Sequence, residues 1–514
     1  MTEKNTDSRN REEISSITVV RRAIVFVTLL FIVFLGVPLW KSTTTIHRAE
    51  LPADKVKDYS MNLQNQIHYN VPVYLDIPNS LVCFIPQAQE LLNKSVYDVY
   101  PELQDFWAIE LRKIDDNIDA QQDYVVKFEY LPSPDNEEEQ DPTESFFISP
   151  FSKETRITIT DNVVRPKKVD EFLSIILTQY VFKGEIEEMS SIVKGQSHDS
   201  RNLVMPYSSK YNIVISLLNE NGKPINWEIE KSLELFESIF VKLNHFANFT
   251  VTSQIQYYST LTYPPSYDEN KKSFIIPESG LSTFVNFGDW NLITHDINPS
   301  INFILYFPEA NYDSKPTLIE NSKTNSFLIP QWGGVTIFNK DMKKQGSNID
   351  ESELLPVMET FASQLFQLLG MPSSPKSPNI KIDSLSRTMT YKNLKQSLEN
   401  LEALLTLTNS LNEISIPELT RLYVQKSIEY LEESIQELNN GNFYLSMKHS
   451  SQSLENSDRA FFEKEMVQQA YFPSEHKLAV FLPLLGPLCS IVSIGTLKAI
   501  KDIKTNRNRK VKKE

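Results

Sequence analysis

The sequence predicts an α/β (or α+β) domain followed by a small helical segment, the whole bracketed by N- and C-terminal transmembrane helices. Three observations lead there. Uncharged apolar runs lie near both ends of the 514-residue chain. Between residues 60 and 370, strand-like and helix-like stretches alternate, which is the pattern of a sheet packed with helices. From residue 371 the pattern becomes wholly helical.

The first apolar run is Ala23 to Trp40 and the second is Leu478 to Leu497. At about 1.5 Å per helical residue, each can cross a hydrocarbon core of roughly 30 Å. Their outer flanks are basic: Arg9, Arg11, Arg21 and Arg22 before the first, and Lys498, Lys501, Lys504, Arg507, Arg509, Lys510, Lys512 and Lys513 after the second. Basic flanks stay cytosolic, so 1–22 and 498–514 are expected to be cytosolic tails. Residues 41–477 then lie across the membrane as a luminal α/β domain, 41–370, and a luminal helical segment, 371–477. A cleaved signal peptide is the alternative for the first run, but no small-residue cleavage site follows, and Trp40 and Lys41 mark an interfacial boundary. Pro483, Gly486 and Pro487 in the second run fit either a span packed on other membrane helices or a kinked lone anchor.

Composition narrows the function. The chain has 51 Lys+Arg and 66 Asp+Glu, net −15, and with the two ends set aside the remainder reaches −22. An acidic domain of this size argues against nucleic acid as a partner. Cys489 sits inside the second apolar run, which leaves Cys83 as the sole cysteine elsewhere, so the large domain has no internal disulfide. That fits the endoplasmic reticulum better than the cell surface, where disulfides are usual. Asn93-Lys94-Ser95 and Asn248-Phe249-Thr250 are acceptors for N-glycans if luminal.

Strands are expected at 156–160, 211–218, 250–258, 302–307 and from Phe327, where β-branched and aromatic residues concentrate. Helices are expected at roughly 86–119, 167–189, 225–246 and 351–369. The Pro-containing acidic stretch 131–145 reads as a surface loop, and MPSSPKSPNIK (371–381) as a break. Beyond it, Leu394, Leu398, Leu401 and Leu405, then Val424, Ile428, Leu431, Ile435 and Leu438, form the buried stripes of two amphipathic helices. Pro417 suits the start of the second, and Asn439-Asn440-Gly441 its end; a third should run from about Asn442 to Gln469.

No catalytic signature is present: no H-E-x-x-H, G-x-S-x-G, Walker loop or G-x-G-x-x-G. Cys83, in the apolar SLVCFIP, reads as a buried inert thiol, and no histidine pair has metal-ligand spacing. No cofactor is implied. One segment is unusual, Gln331-Trp332-Gly333-Gly334. It is either a turn or bulge entering a strand, or a contact surface carrying a Trp anchor.

Several stretches together resemble one family. GVPLWKSTTTIHRAELP (36–52), NFILYFPEAN (302–311), IPQWGGVTIFN (329–339), ELLPVMETFASQLFQLLG (353–370), SDRAFF (457–462) and YFPSEHKLAVFLPLLGP (471–487) follow the order seen in PIG-S-type subunits of the GPI transamidase. The resemblance implies a non-catalytic membrane subunit of the endoplasmic reticulum that supports assembly and substrate handling while GPI anchors are joined to precursor proteins. The nucleophilic Cys and its His are then expected on a PIG-K-like partner, with PIG-T-like, PIG-U-like and Gaa-type subunits alongside. The competing expectation is a stand-alone, membrane-anchored luminal enzyme acting on glycan or lipid.

Overall fold

The computed structural model describes residues 19–21, 23–36, 38, 47–77, 84–115, 118–131, 145–160, 166–195, 204–261, 263–285, 298–346, 348–411, 414–464 and 466, with 483, 486–487, 490–501 and 504 near the C-terminus. The loop at 132–144, Cys83, His198, Asp289, His295 and His476 lie outside these residues, as do parts of both apolar runs. The chain forms two compact units: Lys55–Glu399 with Lys426–Asn456, and Met1–Asp54 with Asn400–Gln425 and Ser457–Glu514.

The larger unit contains two five-stranded sheets. The first is built from β1 (Tyr69–Asp76), β2 (Trp107–Lys113), β3 (Tyr124–Leu131), β4 (Ser145–Ile148) and β5 (Glu154–Thr160), in the order β2-β1-β3-β5-β4. All pairs are parallel except β4 with β5. The second is built from β6 (Lys210–Asn219), β7 (Asn248–Tyr257), β8 (Ser300–Phe307), β9 (Ser326–Ile329) and β10 (Gly333–Ile337), in the order β7-β6-β8-β10-β9. Again only the last pair, β9 with β10, is antiparallel. Adding five to each number of the first order gives the second, so the same topology occurs twice in succession.

Sequence patterning explains where the elements fall. The expected strands from residue 156 onward match β5 to β9, because their β-branched and aromatic residues face a core on at least one side. The helix expected over 86–119 ends at Tyr97, and Trp107–Lys113 is instead β2. There, alternating burial of Trp107, Ile109 and Leu111 has the period of two that a strand requires. Pro72 sits inside β1, yet its missing N–H is on the β3 side, where pairing begins only at Val73.

Helices cover the sheets: α1 (Ala53–Gln66), α2 (Phe84–Tyr97), α3 (Pro166–Ile176), α4 (Lys183–Val193), α5 (Glu234–Leu243) and α6 (Glu351–Leu368). A five-residue π-helical turn, Leu177–Val181, joins α3 to α4. Asp350 and Glu353 form a capping box that starts α6. After the break come α7 (Pro378–Ser410), α8 (Glu418–Asn439) and α9 (Phe443–Phe461), with Gly441 at φ 81° ending α8.

Within the larger unit, α7 serves both cores. Ile380, Tyr391, Leu394 and Leu398 join the apolar cluster of the first sheet; Ile382 and Leu385 join that of the second. The helices approach closely over serines. Ser427 Oγ donates to the Ser453 carbonyl at 2.9 Å and Ser453 Oγ returns a bond to the Ser427 carbonyl at 2.8 Å; Ser434 and Ser446 repeat the exchange at 2.8 Å each.

The smaller unit holds the chain ends. His47–Ala49 bonds to Ile416, and Asn400 Nδ2 donates to Asp458 at 2.6 Å. Residues 23–31 are α-helical and Ile32–Gly36 π-helical; residues 490–501 are helical as well. These two stretches touch, since a Cβ on Gly495 would meet the Val25 side chain at 3.3 Å. Their apolar side chains face outward: Phe26 is 65% exposed, Phe34 72% and Ile491 73%. Among the described residues, no helix is long and apolar enough to cross a membrane.

Candidate interaction sites

The Trp-Gly-Gly segment is the tip and return of a hairpin. Pro330, Gln331 and Trp332 connect β9 to β10, and Trp332 N–H donates to the Ile329 carbonyl at 3.2 Å. Pro330 at the first central position and a positive φ at Gln331 (55°) are the marks of a type II turn. Gln331 is exposed, whereas Gly333 and Gly334 are buried inside β10.

Both glycines are required by close approach. A Cβ on Gly333 would overlap the backbone of Asn302 on β8, whose N–H donates to the Trp332 carbonyl at 3.0 Å. A Cβ on Gly334 would overlap the Gln364 side chain of α6. Gln364 is 5% exposed and donates from Nε2 to the Phe327 carbonyl at 3.1 Å, tying α6 to β9.

Trp332 is half-buried. It packs on a small apolar cluster of Leu218, Ile276, Ile304, Tyr306, Ile319, Ile329, Val335 and Ile337. That cluster lies on the face of the second sheet opposite α5 and α6. A small sheet adds to it: Ser266–Asp268, Ser273–Ile276 and Thr317–Ile319. The same face carries a half-buried acid. Glu220 accepts from the Glu309 N–H at 2.7 Å. Burial pushes its carboxyl above the ordinary range, against the opposing pull of that N–H. Burial likewise pushes the Tyr306 phenol up, helped by the Glu220 charge.

The two sequons differ in setting. Asn93 is half-buried inside α2, where its Oδ1 accepts from Gln89 Nε2 at 2.9 Å. Asn248 is exposed at the first residue of β7.

A polar site that sequence reasoning missed lies deep in the larger unit. Arg387 of α7 and Glu185 of α4 are each 1% exposed in their side chains and form a bidentate pair, with Nε to Oε1 at 2.6 Å and Nη2 to Oε2 at 2.5 Å. Trp107 Nε1 donates to Glu185 at 2.8 Å, and Arg387 donates to the Tyr124 hydroxyl at 3.0 Å. The partners are 202 residues apart, so no local spacing could have announced them. Among the described residues, no group of three His, Cys, Asp or Glu could hold a metal ion.

Comparison with known proteins agrees with the motif order. The model of the PIG-S family, described as phosphatidylinositol-glycan biosynthesis class S protein, matches residues 27–506. The chain is similar to the GPI transamidase component GPI17 of Saccharomyces cerevisiae, 29% identical, over 96% of this chain and 93% of that protein. It is also similar to the GPI-anchor transamidase component PIGS of Homo sapiens, 25% identical over 93% and 94% respectively, and to that of Bos taurus at the same identity. With the family model covering nearly the whole chain, and the signature stretches falling on β8, the β9–β10 hairpin and α6, this protein belongs to the PIG-S family.

Proposed function

We propose that the chain is a non-catalytic membrane subunit of the GPI transamidase, supporting assembly and substrate handling as GPI anchors are attached to precursor proteins in the endoplasmic reticulum lumen. The observation that carries this reading is the collinear family match from residue 27 to residue 506. In this reading the catalytic Cys and His belong to a PIG-K-like subunit, with PIG-T-like, PIG-U-like and Gaa-type subunits as further partners. Its mechanism is positional: holding a precursor's cleavage site near nucleophile and lipid amine lowers the entropic part of the barrier.

The two apolar runs, 23–40 and 478–497, act as the spans, leaving both tails cytosolic, with 41–370 and 371–477 luminal. Exposed Phe26, Phe34 and Ile491, together with the contact of Val25 on Gly495, support paired membrane helices. The exposed Gln331 beside half-buried Trp332 supports the hairpin tip as a contact for another subunit. Purification of the full chain in gentle detergent tests the reading. It should bring down a stoichiometric set of membrane partners, and its loss should leave GPI precursors uncleaved. A partner-free chain that hydrolyses or transfers glycan or lipid unaided would overturn it.

A further inference from the structure

A sheet edge exposes a row of backbone donors and acceptors, and folded proteins shorten, cap or charge such edges. The larger unit has four edges in its two five-stranded sheets, and three are treated in that way. Strands β4 and β9 are four residues each, and the Phe327 carbonyl of β9 is capped by Gln364. Strand β2 is longer, but side chains of α2 cap it. Gln89 donates to the Ile109 carbonyl at 2.8 Å and accepts from the Leu111 N–H at 2.7 Å, while the Tyr97 hydroxyl donates to the Trp107 carbonyl at 3.2 Å. Glu110, Arg112 and Lys113 add charge.

Strand β7 holds the equivalent place in the second sheet and has none of this. It is ten residues, NFTVTSQIQY, without a charge, a proline or a glycine. The Asn248 N–H bonds to the Ser209 carbonyl, so the even-numbered residues pair with β6. The N–H and C=O groups of Phe249, Val251, Ser253, Ile255 and Tyr257 therefore point away from the sheet. Among the described residues, no hydrogen bond reaches any of these ten groups. Their side chains lie on the apolar face, where Phe249 stacks on Phe240 of α5 at 4.9 Å, and Ile255 and Tyr257 are each 36% exposed.

We propose that β7 is completed by an extended segment of another subunit, added as a sixth strand beside the second sheet. The exposed edge specifies its chemistry. The segment offers backbone groups at strand spacing, apolar side chains on the face of Ile255 and Tyr257, and polar ones opposite Thr252, Gln254 and Gln256. Charge favours a different protein over a second copy, since the chain is −15 overall and two copies repel. A glycan on Asn248 would leave the edge clear, because its side chain projects from the sheet face. The identity of the partner as a complex subunit rests on the function proposed above; the unpaired edge does not.

Hydrogen exchange on the full chain, alone in detergent and within the purified complex, tests the proposal. The amides of residues 249, 251, 253, 255 and 257 should slow by about ten-fold or more in the complex, while those of 250, 252, 254 and 256 stay as they were. Ser253→Pro removes only an outward N–H, so it should cut recovered partners several-fold with an unchanged thermal transition. Gln254→Pro, which breaks pairing with β6, should lower that transition. Equal exchange of the odd amides in both states overturns the proposal, as does their protection in a chain-only dimer. If Ser253→Pro fails to fold, the exchange comparison decides alone. A wild-type chain that brings down no partner fails the subunit reading instead.

Discussion

Arg387 and Glu185 form a bidentate ion pair with both side chains 99% removed from solvent, at 2.5 and 2.6 Å. Burial alone would lower the guanidinium's affinity for its proton; the charge and hydrogen bond of Glu185, joined by Tyr124 and Asp383, together reverse this, and Arg387 is held well above its ordinary range. Removing one member of such a pair strands the other. Arg387→Ala should cost about 3–5 kcal/mol, and Arg387→Met combined with Glu185→Gln, which keeps an acceptor for Trp107, should recover most of it. Urea unfolding of the full chain in detergent measures both.

Glu220 titrates in the opposite sense from a salt-bridged acid. Burial raises its folded pKa above the unfolded value. Its contribution to stability is therefore complete below the ordinary carboxyl range and is lost as pH rises through the raised value. Glu220→Gln keeps an acceptor for the Glu309 N–H and has no charge to bury. The variant should melt higher than wild type near pH 7, with the difference vanishing near about pH 4. A pH series of thermal melts checks the sign.

The two glycines of the hairpin should respond differently to alanine. Gly333→Ala meets backbone, which has nowhere to go. Gly334→Ala meets the end of the Gln364 side chain. Both should destabilise, Gly334→Ala by about 1–3 kcal/mol and Gly333→Ala by more. Adding Gln364→Ser should restore part of the loss for Gly334→Ala and none for Gly333→Ala, measured by thermal unfolding.

Of the two sequons, Asn248 should carry the glycan. Its backbone is extended and exposed, whereas Asn93 is fixed in a helix by Gln89. Asn248→Gln should remove the gel shift produced by endoglycosidase digestion, and Asn93→Gln should leave it.

Trp332 allows packing and contact roles to be separated. Trp332→Ala should reduce co-purification of partners while the thermal transition falls only slightly, because the side chain is half-buried. A large drop in the transition would assign Trp332 to the apolar cluster alone.

The second sheet was far more legible than the first. Strands β6 and β8 are buried on both faces and read as continuous apolar runs, YNIVISLL and NFILYF. In the first sheet, β1 contains Pro72, and β2 ends in charged residues beside a true helix, so local pattern misled. The stripes of α7 and α8 were visible because helical periodicity is a local property. Strand order was not, and neither was the pairing of Arg387 with Glu185, since each depends on contacts between distant parts of the chain. At the hairpin the sequence singled out Trp332 and the glycine pair. It gave no hint that Gly333 and Gly334 were answering to Asn302 and Gln364, or that β7 was the unguarded edge.

The 202 residues between Glu185 and Arg387 also have a meaning in time. Synthesis proceeds at about 5–20 residues per second, so Glu185 enters its compartment roughly 10–40 seconds before its counter-ion exists. Through that interval the first sheet lacks Tyr391, Leu394, Leu398, Leu431, Ile435 and Leu438 as well. Its core is closed by α7 and α8, so the nascent chain displays an unfinished apolar surface until those helices are made. Chaperones that bind such surfaces would hold this protein through that interval and release it when α7 and α8 dock.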